Sequence, residues 1–360
     1  MNGAAALRPA PLPPTIAWQG GVTGTLLLLD QTRLPGEREV LALRELAGVV
    51  DAIARLCVRG APAIGVAAAY GMVVGVREAD PRPAEFVATA QRVGAELCAS
   101  RPTAVNLAWA VQRCLLRCSR EPSLAALLDE ASRIHREDVD ACLRIGTAGA
   151  ELIPSGATVL THCNTGRLAT AGDGTALAVL FAAWRAGRRF RVLADETRPL
   201  LQGSRLTALE LAAAGIPVDV LADGAAAGLI ARRQVTLAIV GADRIARNGD
   251  FANKVGTYGV ALACAAHDVP FYVAAPTSTF DPALADGDAI PIEERDPREI
   301  LELGGQRVAA PGVGARNPAF DVTPHGLVRA FATDQGLLRP PFHLAIGKLF
   351  GDGTTSAAGS

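Results

Sequence analysis

Short β-rich runs alternate with helix-length stretches throughout the chain beyond Pro154. The runs are ATVLTHC, RFRVLADE, PVDVLAD, VTLAIVGAD and VPFYVAA, and the stretches between them include TALAVLFAAWRAG and SRLTALELAAAG. Repeated strand–helix–strand order predicts a mostly parallel sheet with helices on both faces, because parallel neighbours need a crossover connection. The chain is 50% apolar but only 4% aromatic, which suits helices packed on such a sheet. We therefore predict an α/β fold with a Rossmann-like, mostly parallel sheet over residues 151–345.

The first half of the chain has a helical pattern instead. From about Val40, apolar residues recur at i, i+3, i+4 and i+7, as in AEFVATAQRVGAELCAS and PSLAALLDEASRIHREDVDACLRIGTAGAEL. The preceding segment, TIAWQGGVTGTLLLLDQTRLPG, is typical of short strands joined by glycine turns and predicts a small antiparallel sheet. We predict a mainly helical N-terminal domain over residues 16–150, a boundary near Glu151 to Gly156, and disordered segments at 1–15 and 346–360.

Charge balance and cysteine pattern narrow the class of function. The formal net charge of −1 comes from 35 basic and 36 acidic residues without a basic run, which argues against nucleic-acid binding and favours a small-molecule partner. The seven scattered cysteines lack the spacing of a zinc site or a disulfide framework, so they favour a reducing cytoplasm. Prolines interrupt the start of the chain, MNGAAALRPAPLPP, and no apolar run reaches about 20 residues, so we expect neither a signal helix nor membrane association.

The sequence contains no recognisable nucleotide-binding loop. The glycines of VRGAPAIG (58–65) follow neither the G-x-G-x-x-G spacing nor the P-loop pattern. Among the five histidines only His162 lies in a polar cluster, and no His, Cys or Asp grouping has the spacing of metal ligands. We therefore expect neither a metal nor a cofactor.

Polar clusters that follow apolar runs are the candidate functional segments. They are THCNTG (161–166), ADETRP (194–199), VGADRI (240–245) and GDFANK (249–254). Ligands of an open α/β sheet bind outside the carboxyl ends of its strands, so Cys163 and Asp243 are the first candidates. A helix beginning directly after Cys163 would lower the pKa of its thiol and favour a thiolate. The alternative is a small buried hydrophobic residue, the usual fate of cysteine.

Asp243 closes the run VTLAIVGAD, where a carboxyl group is expected to be poorly solvated. Burial disfavours the ionised form and raises the pKa, which would suit general acid–base catalysis near neutral pH. The alternative is a structural carboxylate that caps a following helix or pairs with Arg244 or Arg247. A helix cap alone would not require the second acidic residue and the Asn-Lys pair that follow Asp243 closely in the sequence.

Several further residues are candidate ligand contacts. Asn253 and Lys254 offer an amide for a hydroxyl group and an ammonium for a phosphate, the alternative being a solvated surface lysine. Arg59 begins the loop RGAPAIG, whose amides could hold an anion ahead of an apolar helix. Arg101 and Thr103 stand at the head of the helix in SRPTAVNLAWA, where a surface charge is the alternative for Arg101. In ADETRPLLQGSRLTALEL, Gln202 suits a sugar hydroxyl, whereas Glu196 and Arg198 suit a salt-bridged structural turn.

These clusters, in this order, resemble the methylthioribose-1-phosphate isomerase family across nearly residues 16–336. The motifs that carry the resemblance are RGAPAIG, RPTAVNL, THCNTG, ATAG-GTAL, ADETRP-LQG-RLTA-EL, VGADRIA-NGD-ANK-GTY, PFYVAAP-STFD, IPIEER and NPAFDVTP. The family is similar in fold to the regulatory subunits of the translation initiation factor that exchanges guanine nucleotide, which bind partners rather than catalyse. Asp173 departs from the family pattern, which usually has an aromatic residue there.

The resemblance implies an aldose–ketose isomerase of methionine salvage that uses neither a metal nor a redox cofactor. It would convert 5-methylthio-D-ribose 1-phosphate to 5-methylthio-D-ribulose 1-phosphate. It further implies that Cys163 and Asp243 are the catalytic pair and that the substrate contacts are Arg59, Gly60, Ala61, Arg101, Gln202, Asn253 and Lys254. The alternatives are a 5-deoxyribose 1-phosphate isomerase and a non-catalytic sensing or assembly subunit. Long apolar helices also favour a homodimer.

A reaction scheme follows from the chemistry of this substrate. Its anomeric phosphate prevents simple opening of the ring, so Asp243 would protonate the ring oxygen. Hydrogen must then move from C2 to C1, either through an enediol or by a hydride shift in a dry pocket close to Cys163. We expect Arg59, Arg101 and backbone amides to hold the phosphate. We also expect the methylthio group to lie against the helical domain, which would close over the phosphate.

Overall fold

A computed structural model describes residues 9–102 and 104–351. Residues 1–8 and 352–360, which belong to the segments predicted to be disordered, and Thr103 lie outside the described residues. The strands are β1 (Ile16–Gln19), β2 (Thr25–Leu29), β3 (Val40–Leu43), β4 (Thr158–Thr161), β5 (Arg191–Asp195), β6 (Val218–Leu221), β7 (Leu237–Val240), β8 (Arg244–Ala246), β9 (Phe251–Lys254), β10 (Phe271–Ala274), β11 (Phe280–Asp281), β12 (Glu302–Leu303), β13 (Gln306–Arg307), β14 (Phe320–Thr323), β15 (Ala330–Thr333) and β16 (Gly336–Leu338). The α-helices are α1 (Leu46–Ala54), α2 (Ala61–Val76), α3 (Pro83–Ser100), α4 (Val105–Arg120), α5 (Leu124–Gly149), α6 (Ala176–Arg185), α7 (Ala208–Ala214), α8 (Ala226–Ala231), α9 (Thr257–Ala266), α10 (Arg298–Leu301) and α11 (Phe342–Phe350).

The described chain divides into two compact units, which we call the helical unit and the sheet unit. The helical unit comprises residues up to 143 together with 164–178 and 212–215, and the sheet unit comprises 144–163, 179–211 and 216 onwards. The first division falls within α5, whereas the sequence predicts it near Glu151. Arg144, in the last two turns of α5, donates to the carbonyl of Asp334, and both residues belong to the sheet unit.

In the helical unit, α2 packs against α1, α3 and α4. It is buried on nearly all sides, from Ala63 to Val74, as expected of a helix without a polar face. The predicted antiparallel sheet is present, with β1 pairing with β2. Val40–Leu43, predicted as the start of the helical region, instead forms β3, which pairs with β2. That expectation was wrong because pairing with an existing strand outweighed the weak helical periodicity of the short segment VLAL.

The sheet unit contains a seven-stranded sheet in the order β16-β15-β10-β7-β4-β5-β6. Neighbouring strands are parallel except for the antiparallel pair β15 and β16. The predicted mostly parallel sheet is therefore confirmed. The chain runs from β4 outward through β5 to β6, then returns to the other side of β4 for β7 and β10. The right-handed crossover rule predicts α6 and α7 on one face of this sheet and α8 and α9 on the other, and α8 packs against α9.

A smaller sheet in the order β11-β8-β9-β14 follows β7. Its strands β8 and β9 form an antiparallel hairpin around Asn248 and Gly249, and Gly249 has a positive φ of 96°. Sequence reasoning missed this hairpin, although an Asn-Gly pair between apolar runs is a strong hairpin signal.

The C-terminal helix differs from the expectation of disorder over residues 346–360. Residues 346–350 belong to α11, whose Phe342 and Ile346 are buried in the core of the sheet unit. Burial of these apolar side chains stabilises the helix. The Gly- and Ser-rich sequence that follows it had led to the expectation of disorder. None of the helices described is both long and apolar enough to cross a membrane.

Candidate active site

The carboxyl ends of β4 and β7 lie side by side where the strand order of the sheet reverses. The two strands are parallel neighbours, and the Thr161 hydroxyl at the end of β4 donates to the carbonyl of Ile239 in β7 at 2.8 Å. Cys163 follows β4 and Asp243 follows β7. The two leading candidates therefore follow neighbouring strand ends at the switch point, which is where open α/β sheets bind ligands.

The backbone of Cys163 is held in a left-handed conformation by two threonines. Its φ is 66°, a conformation that costs a residue with a side chain about 1–3 kcal/mol. Its N–H donates to the Thr197 hydroxyl at 2.9 Å, and its carbonyl accepts from the Thr207 hydroxyl at 2.6 Å. The expected helix does not begin directly after Cys163, because a 3-10 turn at Arg167–Ala169 precedes α6. The thiol is half-buried.

Asp243 is exposed, so the expectation that it is poorly solvated was wrong. The physical reason is that β7 already ends at Val240, and Asp243 lies beyond the buried strand at the entrance to the β8–β9 hairpin. Its N–H donates to the carbonyl of Ala252 in β9 at 2.9 Å. The element that follows Asp243 is a strand, so its role is not that of a helix cap.

Asn253 and Lys254 form the end of β9, on the arm of the hairpin opposite Asp243. Asn253 is buried, and its Nδ2 donates to the Thr257 hydroxyl at 2.9 Å. The half-buried Lys254 donates from Nζ to the carbonyl of Ala319 at 2.7 Å, and its ammonium lies 4.7 Å from the centre of the Phe320 ring. Lys254 is therefore held in place by protein groups, unlike a solvated surface lysine.

Gln202 lies in the loop after β5. Its side chain is buried, and Oε1 has no hydrogen-bond partner among the described residues. A Cβ atom on the next residue, Gly203, would lie 1.6 Å from the carbonyl oxygen of Asp195, so only glycine allows this loop to pack on the strand. In the same loop Arg198 donates to the carbonyl of Ile300 at 3.0 Å, consistent with the structural role expected of it. The unsatisfied amide oxygen of Gln202 is available to accept a hydrogen bond from a ligand.

The remaining candidates, Arg59, Gly60, Ala61 and Arg101, belong to the helical unit. Arg59 donates from Nη2 to Oδ1 of Asn164, the residue that follows Cys163, at 3.3 Å. Gly60 has a positive φ of 88°, and a Cβ there would lie 2.4 Å from the carbonyl oxygen of Ala169. Ala61 is the first residue of α2.

Arg101 is half-buried and directly follows α3. The predicted placement at the head of a helix is therefore only approximate, since α4 begins at Val105. Asp173, which departs from the family pattern, forms an ion pair with Arg167 at 2.9 Å within the helical unit.

One group of potential metal ligands lies together among the described residues. Donor atoms of His162, Asp195 and Asp223 are all within 4.8 Å of one another. Spacing along the sequence could not reveal the group, because its members lie at the carboxyl ends of three different strands. Most of their donor atoms already have partners: His162 Nδ1 contacts Asp195 Oδ2 at 3.0 Å, and the Asp223 carboxylate accepts two backbone N–H bonds from residues 197 and 198 at 2.7 Å, while Asp195 Oδ1 has none among the described residues. These bonds make the group a poor fit for a metal ion.

Comparison with known proteins places this geometry in a family. A model described as the Initiation factor 2 subunit family matches residues 57–340. A protein of Gemmatimonas aurantiaca named methylthioribose-1-phosphate isomerase is 56% identical over 344 residues, covering 93% of this chain and 97% of that protein. A protein of Moorella thermoacetica named 5-deoxyribose 1-phosphate isomerase is 49% identical over 346 residues, covering 94% of this chain and 97% of that protein.

Solved structures are also similar to this chain. The crystal structure of 5-methylthioribose 1-phosphate isomerase from Pyrococcus horikoshii OT3 has a TM-score of 0.89 and 41% identity, covering 96% of this chain and 97% of that chain. The crystal structure of translation initiation factor eIF-2B, subunit delta, from A. fulgidus has a TM-score of 0.84 and 40% identity, covering 94% of this chain and 99% of that chain.

Proposed function

The chain belongs to the Initiation factor 2 subunit family, and we propose that within this family it acts as a methylthioribose-1-phosphate isomerase. It converts 5-methylthio-D-ribose 1-phosphate to 5-methylthio-D-ribulose 1-phosphate in methionine salvage. Relatives with that name, similar over almost their whole length, support this function. The observation that carries the proposal is the position of Cys163 and Asp243 after β4 and β7, neighbouring strands at the switch point of the sheet.

In the proposed reaction Asp243 protonates the ring oxygen of the sugar, and the bond from this oxygen to C1 breaks. A hydrogen then moves from C2 to C1 while the C2 hydroxyl becomes the carbonyl and returns a proton to Asp243. The phosphate stays on C1 throughout, so atoms and charge balance without an external oxidant. Cys163 lies beside the migrating hydrogen. The two routes share the ring opening and the net transfer: in the hydride shift the hydrogen moves to C1 with its electron pair, whereas in the enediol route it leaves C2 as a proton that a base carries to C1. Only the enediol route lets this hydrogen exchange with solvent.

The substrate contacts in this proposal are Arg59, Gly60, Ala61, Arg101, Gln202, Asn253 and Lys254. The start of α2, with Ala61 as its first residue, favours an anion, and Arg59 and Arg101 add positive charge for the phosphate. Gln202 supports a sugar-hydroxyl contact, because its buried Oε1 lacks a partner among the described residues. Asn253 and Lys254 bind the substrate from the hairpin arm opposite Asp243.

Two alternatives each rest on a specific similarity. The relative named 5-deoxyribose 1-phosphate isomerase supports activity on that sugar phosphate. The similarity to a structure titled as an initiation-factor subunit supports a non-catalytic assembly role. The reactive groups favour catalysis, since an assembly subunit has no chemical need for Cys163, Asp243 and Lys254 at one edge of its sheet.

We also propose a cytoplasmic homodimer that acts without a cofactor or metal and does not bind nucleic acid. Exposed apolar side chains one turn apart on α9, Tyr258 and Leu262, support self-association. A monomer mass in sedimentation equilibrium would reject the dimer.

The test is a cofactor-free NMR assay of the purified protein with 5-methylthioribose 1-phosphate. Wild type should produce the ketose signal, and Cys163→Ser and Asp243→Asn should each reduce turnover at least about a hundredfold. Matched controls are Cys98→Ser, a cysteine in α3, and Asp268→Asn, an exposed aspartate in the turn after α9. Both controls should retain wild-type turnover.

The outcomes separate the candidate functions. Turnover of only 5-deoxyribose 1-phosphate would favour the first alternative. Binding of either sugar phosphate without turnover by wild type would favour the assembly role. Full activity in Cys163→Ser or Asp243→Asn would remove that residue from the catalytic pair.

A further inference from the structure

A buried histidine and a buried aspartate meet immediately behind the catalytic cysteine. His162 precedes Cys163 at the end of β4, and Asp195 ends the neighbouring strand β5. Both residues are 1% exposed. The ring Nδ1 lies 3.0 Å from Asp195 Oδ2, and Nε2 lies 2.9 Å from the carbonyl of Val255.

The second contact determines where the protons are. A carbonyl oxygen only accepts, so Nε2 of His162 must carry a hydrogen. Nδ1 then either carries a second hydrogen and faces a carboxylate, or accepts a hydrogen from a protonated Asp195. In both cases the pair holds one proton more than a neutral imidazole beside a carboxylate. Without that proton, two acceptor atoms would face each other at 3.0 Å.

The environment favours retention of this proton. Burial raises the pKa of Asp195, and its second oxygen, Oδ1, is buried without a hydrogen-bond partner among the described residues. Burial alone would lower the pKa of His162, but the hydrogen bond and charge of Asp195 outweigh it, so the pKa is raised. The acidic groups that also face the pair, Glu196, Asp223 and Asp321, act in the same direction.

Three segments of the proposed active site meet at this pair. Asp195 leads into Thr197, whose hydroxyl donates to the Asp195 carbonyl at 3.0 Å and accepts from the Cys163 N–H. Val255 follows Lys254 directly, so the bond from His162 fixes the end of β9. The next residue is Gly256, where a Cβ would lie 2.8 Å from the His162 ring. The ring therefore contacts the backbone closely enough to fix its position.

We propose that the shared proton of His162 and Asp195 is a positioning device for the isomerase, which holds the Cys163 turn and the Lys254 end of β9 in their reactive arrangement. The inference rests on the proposed function, and neither residue itself touches the substrate. Loss of the proton places two acceptors in contact and releases both segments. Asp195 raises the pKa of His162 above 6.5, the ordinary value for histidine, so the arrangement is present below that raised pKa and is lost as the pH rises through it.

The experiment compares Asp195→Asn with Asp195→Ala. An asparagine amide can donate to Nδ1 while Nε2 still donates to Val255, so this variant keeps the contact without the titrating proton. Asp195→Asn should retain kcat within about fivefold and should lack the fall in kcat that wild type shows at alkaline pH. Asp195→Ala should lower kcat about a hundredfold. The matched control is His325→Gln, which removes an unrelated histidine–aspartate contact of 2.7 Å to Asp250. It should keep the wild-type profile.

An unchanged alkaline limb in Asp195→Asn, or near wild-type kcat in Asp195→Ala, would overturn the proposal. A second measurement does not depend on turnover or on the folding of Asp195→Ala. Long-range 1H–15N NMR spectra of wild type should show a hydrogen on Nε2 of His162, with the signal assigned by its loss in His162→Gln. A bare Nε2 would overturn the proposal. If the ring is protonated as expected but wild type turns over neither sugar phosphate, the proposed function fails instead.

Discussion

At the level of single residues, strained backbone conformations occur at the candidate site. Cys163, Thr197 and Leu201 all have positive φ values, although none is glycine. Such conformations persist only where surrounding contacts determine them, and here the threonine hydroxyls bind the Cys163 backbone. No local sequence preference predicts these conformations, so the sequence identified Cys163 as a candidate but not the geometry that presents it.

Gln202 offers a test that separates ligand binding from stability. Replacing it with Met removes the buried Oε1, which lacks a partner among the described residues, and should stabilise the free protein by about 1 kcal/mol. The same variant should raise KM about tenfold, because a substrate hydroxyl loses its acceptor. Denaturant unfolding and steady-state kinetics measure the two effects. The control is Gln112→Met at an exposed position of α4, which should change neither. Lower stability with an unchanged KM would assign Gln202 a structural role.

At the level of elements, the β8–β9 hairpin joins the proposed acid to the proposed binding pair. Asp243 precedes one arm, and Asn253 and Lys254 end the other. The N–H of Asp243 donates to Ala252 across the hairpin. The geometry of the turn therefore determines how these groups are aligned.

Gly249 in that turn should be sensitive to substitution. Its φ is 96°, and an added Cβ would lie 3.0 Å from Cβ of Phe342, so Gly249→Ala should cost about 1–2 kcal/mol. It should also lower kcat/KM about tenfold by shifting both arms. Gly187→Ala is the control, since Gly187 has a φ of 87° but open space around its Cβ position. Thermal unfolding should detect a loss in both proteins, and activity should fall only in Gly249→Ala. Normal activity in a destabilised Gly249→Ala would show that the geometry of the turn does not determine the alignment of the site residues.

Individual elements show how far the sequence could predict the fold. The apolar runs that became β4, β5 and β7 were recognisable, because buried parallel strands need continuous β-rich segments. Strand β3 and helix α11 were not, since each is stabilised by contacts with distant residues. The same limit applied to His162, whose partners Asp195 and Val255 are far away in sequence. Exposure of Asp243 could not be foreseen because it depends on where β7 ends.

At the level of the whole molecule, the chain passes repeatedly between its two units. Residues 164–178 leave the sheet unit immediately after Cys163 and belong to the helical unit. The N–H of Ala171 in this segment donates to the carboxyl group of Asp138 in α5 at 2.6 Å. Stability of the helical unit is thereby connected to the segment that follows the proposed catalytic cysteine, Cys163.

Asp138 should make the stability of the protein depend on pH. Burial raises the pKa of Asp138 to about 6 from the ordinary value of 3.8. The folded state therefore keeps a proton that the unfolded chain releases, and stability falls as pH rises from 3.8 through about 6. Asparagine can still accept from Ala171 without becoming charged. Asp138→Asn should thus be more stable than wild type by about 2 kcal/mol at neutral pH, and the difference should shrink towards about pH 4.

Urea unfolding at several pH values measures this difference. The matched control is Asp129→Asn, which removes an exposed ion pair with Arg133 from the same helix and should change stability by less than about 0.5 kcal/mol at every pH. If Asp138→Asn were less stable than wild type at neutral pH, the Asp138 side chain would be an ionised carboxylate that stabilises the fold. Asparagine keeps an acceptor for Ala171, so the loss of stability would come from the loss of the negative charge. A stabilised variant with unchanged kcat would show that the cost of burying Asp138 is separate from the chemistry proposed for Cys163.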